Sequence, residues 1–146
     1  MKTIINSVPD KRIFKFIKEH HVLTLATSVN NLPYISHCYY VFLPEKNIFI
    51  FTSDEKTFHI QNVIVNEHVA AGIALETKVI GKIRGLQITG VLQKALNDDY
   101  DMARKVYLKA YPFAALHLES LWILTPDFYK LTDNRLGFGT KILWKP

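Results

Sequence analysis

Along this chain the spacing of hydrophobic and polar positions switches repeatedly between the period of a strand and that of a helix. Residues Val22 to Val29 (VLTLATSV) alternate apolar with hydroxyl or small side chains, the period of two that marks a half-buried strand. Asn30-Asn31 supplies a turn, and Tyr34 to Phe42 reads as the return partner. That partner carries His37, Tyr39 and Val41 on one face and Ser36, Cys38 and Tyr40 on the other. A second turn at Pro44–Asn47 leads into Ile48–Thr52, a β-branched and aromatic run free of glycine and proline. His68 to Leu75 is a strand rich in small side chains. Ile83 to Lys94 is a longer one whose Gly85 and Gly90 suit bulges or bends. Leu121–Leu124 and Phe128–Leu131 flank Thr125-Pro126-Asp127 as two short strands, and Lys141–Trp144 is the last.

Helical spacing governs three other stretches. Ser7-Val8-Pro9-Asp10 resembles a helix start with Ser7 as cap. Ile13, Phe14, Phe16 and Ile17 then lie opposite Lys11, Arg12, Lys15 and Lys18. Phe58, Ile60, Val63 and Ile64 follow Lys56 at helical spacing, and Asn97 caps a helix that runs to about Ala110 before Pro112. Sequential strands with short turns make an antiparallel meander, and six or seven of them with a few helices predict a small closed barrel: mainly β, with peripheral helices.

A length of 146 residues predicts one domain spanning 1–146, and 49% apolar with 21% charged residues is an ordinary globular mixture. The charge of +5 favours anionic partners, either nucleic acid or a phosphorylated small molecule. The 18 lysines and arginines are scattered without a basic cluster, which argues against nucleic acid. A single cysteine, Cys38, excludes an internal disulfide, a zinc-finger core and a CxxC pair, and fits a reducing, cytoplasmic setting. No signal peptide is expected from the opening MKTIINSVPDKR. No apolar run approaches the roughly 20 residues of a membrane span.

Standard catalytic patterns are absent. The six histidines form no H-x-x-x-H pair, so no metal site is expected, and there is no G-x-S-x-G elbow or Walker loop. One junction stands out. Strand Ile48–Thr52 runs directly into a helix start, gathering the hydroxyls of Thr52, Ser53 and Thr57, the Lys56 ammonium and free backbone N–H groups into a candidate anion site. Ser53 or Asp54 acting simply as a helix cap is the alternative, and Asp54 and Glu55 in the first turn would repel a phosphate.

The order of a hairpin with LTLATS, then EKT-x-H, IRG-x-Q, ARK-x-Y and TDN-x-LGFG resembles the pyridoxamine 5′-phosphate oxidase-like FMN-binding split barrels, and within them the YhbP-like bacterial branch. The resemblance covers nearly the whole chain. It implies a six-stranded antiparallel split barrel that forms a homodimer, with FMN in clefts at the subunit interface. It places the phosphate contacts at Thr52, Ser53, Lys56 and Thr57, and the isoalloxazine ring beside Ser36, His37, Cys38 and Tyr39. A polar contact to the ring falls on Gln87, and the tail residues Asn134 and Lys141 reach the partner's flavin. The implied activity is that of a flavin-dependent oxidoreductase acting on a small molecule, with no obligatory catalytic side chain. The alternative is a flavin- or haem-sequestering module on the same fold. The family's oxidases carry an arginine-lysine pair where this chain has Lys56-Thr57, so a looser grip on phosphate is expected.

Overall fold

The computed structural model describes residues 1–146. Its elements run β1 (Thr3–Asn6), α1 (Lys11–Glu19), β2 (Val22–Val29), β3 (Leu32–Tyr39), β4 (Val41–Leu43), β5 (Ile48–Thr52), α2 (Phe58–Val65), β6 (His68–Ala74), β7 (Arg84–Lys94), α3 (Asp98–Ala110), β8 (Leu121–Asp133) and β9 (Lys141–Trp144). Short 3-10 turns occupy Ile80–Lys82, Pro112–His117 and Asn134–Leu136.

The predicted return strand Tyr34–Phe42 is two strands, β3 and β4, bent at Tyr40. Three hydrogen bonds hold the bend. Tyr40 N–H donates to His21 O (2.9 Å), Tyr40 OH to Ile17 O (2.6 Å), and Tyr111 OH to Tyr40 O (2.7 Å). Below the bend β3 pairs with β2, and above it β4 pairs with β5. Pairing β5–β8, β8–β7, β7–β6 and β6–β2 completes the circuit, so six staves close with β3 and β4 counted as one. The side of β3 that faces away from β2 pairs with no strand, and there the wall is split. Strand β1 has no counterpart in the sequence reading; it lies parallel to β9 and extends the sheet beyond β8.

Two short strands were expected around Pro126, but β8 is one continuous strand. The register passes from Thr89 opposite Phe128 to Gly90 opposite Pro126, leaving Asp127 as the extra residue of a bulge. The bulge accommodates the proline, which has no N–H for the ladder, and reverses which side chains point inward, from Trp122 and Leu124 to Tyr129 and Leu131. Gly90 is required at this crossing, since a Cβ there would stand 2.4 Å from Thr125 O.

Both barrel ends are plugged by helices. Helix α1 leads directly into β2 and buries Ile13, Phe16 and Ile17. Its cap is Asp10 rather than Ser7, because the Asp10 carboxylate accepts the Arg12 N–H (2.8 Å). At the other end α2 buries Ile60, Asn62 and Val63. Asn62 Nδ2 donates to Thr27 Oγ1 (3.1 Å), and Asn66 Nδ2 to Ser28 O (3.0 Å), near the end of β2. Helix α3 packs on β4, β5 and β8, which is why β5 is buried on both faces. The outer surface at His37, Thr24, Gly72 and Gln87, one cross-strand row over β3, β2, β6 and β7, stays open.

Candidate functional site at the start of helix α2

The junction between β5 and α2 is fastened to the beginning of β8. Ser53 N–H donates to Ser120 O (2.9 Å), Thr52 Oγ1 donates to the same oxygen (3.2 Å), and Trp122 Nε1 donates to Ser53 O (3.1 Å). The helix starts later than Ser53 or Asp54. Asp54 Oδ1 accepts the Lys56 N–H (2.8 Å) and so closes a turn, while Thr57 is the cap residue of α2. Both acids therefore precede the helix, and its first turn holds none. Glu55 is engaged elsewhere: Ser120 Oγ donates to Glu55 Oε1 (3.0 Å), and the Lys94 ammonium pairs with the same oxygen. The hydrogen bonds from Lys94 and Ser120 hold the Glu55 carboxyl below its usual range.

The first turn of α2 has unused donors. Thr57 Oγ1 donates to Asp54 O (2.7 Å), so it does not cap the helix. The first backbone bond of the helix is Gln61 N–H to Thr57 O (3.0 Å); the N–H groups of Phe58, His59 and Ile60 have neither a backbone nor a side-chain acceptor. Beside them His59 Nε2 lies 2.6 Å from Ser53 Oγ and 3.4 Å from Thr57 Oγ1. Burial lowers the His59 pKa and so favours the neutral ring. The Thr57 proton goes to Asp54 O; an Nε2–H ring would donate to Ser53 Oγ and leave the Ser53 hydroxyl proton for another acceptor, whereas an Nδ1–H ring would accept that proton. Lys56 is exposed at the rim.

The sequence-derived ring contacts divide between two faces of β3. Cys38 is buried inside the barrel and Ser36 half-buried next to it, 4.0 Å apart at Oγ and Sγ, and burial pushes the Cys38 thiol up to about 11. His37 and Tyr39 face outward; His37 Nδ1 meets Thr24 Oγ1 at 3.1 Å, and Tyr39 stacks with His21. The Tyr40–His21 bond fixes the antiparallel alternation, which turns the backbone groups of Ile35 and His37 away from β2 and into the split. Across that split the Tyr34 ring meets the Phe58 ring edge-on at 4.8 Å, joining β3 to the start of α2. Gln87 shares the outer face with His37 but sits three strands away, roughly 14 Å. Asn134 and Lys141 lie near the far end of β7, roughly 30 Å along that strand from Lys94. Asn134 ties two loops together, donating to Ile80 O in the turn before β7 (2.8 Å) and accepting from Gly139 N–H in its own loop (2.9 Å).

Sequence reasoning did not select His59, Lys94 or Ser120. His59 stands in the EKT-x-H stretch and could have been found from it. Lys94 and Ser120 reach the loop only through strand pairing, which leaves no local signal.

A UPF0306 protein of Pasteurella multocida is 31% identical over 135 residues, 92% of this chain and 91% of that one. The chain belongs to the UPF0306 family. The UPF0306 protein YhbP of Escherichia coli O157:H7 is likewise 31% identical, over 132 residues and 90% of each chain. No family model matches the chain. Among solved structures, a haem-binding protein of Mycobacterium smegmatis superposes with a TM-score of 0.80 at 17% identity, over 96% of this chain, which spans 60% of that protein. An FAD-binding protein of Mesorhizobium loti gives 0.69 at 12% identity, over 86% of this chain and 95% of that one. A Listeria innocua protein assigned as a pyridoxamine 5′-phosphate oxidase gives 0.65 at 12%, over 82% and 94%. These likenesses establish for this UPF0306 member the pyridoxamine 5′-phosphate oxidase-like split-barrel fold, whose solved members include flavin- and haem-binding proteins. No helix is long and apolar enough to cross a membrane.

Proposed function

We propose that this protein binds FMN at the seam of a homodimer and works as a flavin-dependent oxidoreductase. The observation that carries the reading is the unfinished first turn of α2. Three adjacent N–H groups without acceptors follow directly on the exposed Lys56, with the Ser53 hydroxyl held at His59, where Phe58 meets Tyr34 of β3 beside the barrel's split. Such donors, aligned with the helix dipole, suit a terminal phosphate. Lys56 holds the rim of that site, and His59 orients Ser53. The backbone groups of Ile35 and His37 suit the polar rim of a flat ring lying in the split, with Tyr34 and Phe58 beside it. Bound flavin would supply the electron transfer, while these residues hold and orient it and keep water from the ring.

A second copy is supported by the outer surface of α2. Ile64 is 60% and Val65 72% exposed at the end of α2, and Phe58 is exposed at its start. Large apolar side chains left together in water mark a surface that a partner covers.

The reading predicts that added FMN elutes with a species of twice the chain mass and raises the melting temperature with its concentration. Lys56→Ala should weaken FMN roughly two- to fivefold, the worth of one exposed charge at a helix terminus. Colourless protein after FMN addition, with no thermal shift, would defeat the proposal. Steady bleaching by NADH or NADPH identifies an enzyme; binding without turnover identifies a sequestering module.

Haem is a second reading, favoured by His37. Its Nδ1 is tied to Thr24 and its Nε2 is free on the open outer face, the usual arrangement for a metal-ligating imidazole. A Soret band that appears with haem and is lost in His37→Ala would support it.

A further inference from the structure

The approach to α2 carries two carboxylates, Asp54 and Glu55, and one ammonium, Lys56, a net charge of −1 where an anion is to bind. A fourth charge corrects this from a distant part of the chain. Lys94, the last residue of β7, pairs with Glu55 Oε1, the same oxygen that accepts the Ser120 hydroxyl (3.0 Å). The fold delivers it there: Lys94 is in register with Trp122 of β8, and the Trp122 indole in turn holds Ser53 O (3.1 Å). The β7 end, the β8 beginning and the β5–α2 loop therefore meet at one carboxylate. Both members of the ion pair are partly exposed, 41% for the Lys94 side chain and 44% for Glu55, so the pair adds little to stability. Its consequence falls on the neighbouring anion site.

We propose that Lys94 sets the charge of this site. It neutralises Glu55, so that the approach to α2 carries no net negative charge where its donors meet a phosphate. Lys94 is thus a positioning residue acting through Glu55. This rests on the phosphate reading above and identifies which residue keeps that site open to a dianion.

The test is a charge cycle on the full-length protein, with FMN and riboflavin as probes at low ionic strength. Lys94→Met keeps the apolar stem, frees the Glu55 charge, and should weaken FMN roughly three- to tenfold, the effect of one uncompensated charge several ångströms from a dianion in a partly solvated site. Glu55→Gln should tighten FMN by leaving Lys94 unpaired, and Lys94→Met with Glu55→Gln together should return to wild-type affinity. Riboflavin, lacking the phosphate, should bind all four proteins alike. The spread among them for FMN should shrink in about 1 M salt, where screening acts within about 3 Å.

If the clasp is only a brace, Glu55→Gln weakens FMN as Lys94→Met does, and riboflavin follows; either result overturns the proposal, as does Lys94→Met binding like wild type. Wild-type protein that holds riboflavin as tightly as FMN would instead sink the phosphate reading and take this inference with it. Equal melting temperatures across the set confirm that differences arise at the site.

Discussion

Helix α1 enters one end of the barrel behind a fully used cap. Helix α2 enters the other end with its cap hydroxyl turned back into the preceding loop. At α1, the Asp10 carboxylate takes the Arg12 N–H at 2.8 Å, is bound by the Arg12 guanidinium, and accepts Asn6 Nδ2 at 2.5 Å; its side chain is 8% exposed. At α2, Thr57 leaves three N–H groups unmatched. The outer faces differ in the same sense. Lys11, Lys15 and Lys18 lie in water on α1, whereas α2 exposes Phe58, Ile64 and Val65. One helix is complete within the single chain. The other presents N–H groups without acceptors at its start and exposed apolar side chains on its flank, and the proposed flavin site is built on those donors.

Removing the α1 plug should have the largest effect. Phe16→Ala deletes a fully buried ring that also lies under the Arg84 guanidinium, and should cost ~3–5 kcal/mol in urea unfolding. The protein that remains folded should still bind FMN, because α1 lies at the opposite end from the site. A loss of binding in the folded fraction would mean that the two ends are coupled.

The caps give a smaller and sharper contrast. Asp10→Ala should cost ~1–2 kcal/mol, since it removes a working cap. Thr57→Ala should cost only a few tenths, since its hydroxyl caps nothing. Equal losses at the two positions in the same urea titration would erase the distinction between them.

The pH dependence should be smaller again. The Arg12 hydrogen bond holds the Asp10 carboxyl below its usual range, in spite of burial. A depressed folded pKa contributes stability that is complete above the ordinary carboxylate pKa, about 4, and is lost as pH falls through the folded value. Asp10→Asn keeps a cap but should flatten part of the acid limb of stability. Asp133, similarly depressed by Arg135, should retain the rest. An unchanged acid limb would place the titrating group elsewhere.

Much of the fold was legible because alternation is local. Val22–Val29, Ile48–Thr52 and Lys141–Trp144 are strands with the bounds their pattern suggested, and Asn97 does precede α3. Where the reading failed, long-range contacts had decided. Pro126 reads as a break between strands, yet pairing with Gly90 absorbs it in a bulge. Tyr40 looks like mid-strand, yet bonds to His21, Ile17 and Tyr111 bend the chain there. Of the site, the sequence revealed the junction and its donors but misread its acids. Asp54 and Glu55 look like first-turn residues opposed to phosphate, and only the Asp54 turn and the partners Lys94 and Ser120 place them outside the helix and engaged. Gly85 and Gly90 looked alike in sequence. Only Gly90 sits at the bulge, where a side chain would meet the backbone of β8.

The central claim is tested most directly by an amide NMR titration of the protein with FMN. The N–H resonances of Phe58, His59 and Ile60 should shift together and saturate with FMN, while those of Lys11, Arg12 and Ile13 at the start of α1 stay in place. FMN binding that leaves the three α2 amides unmoved would contradict the account.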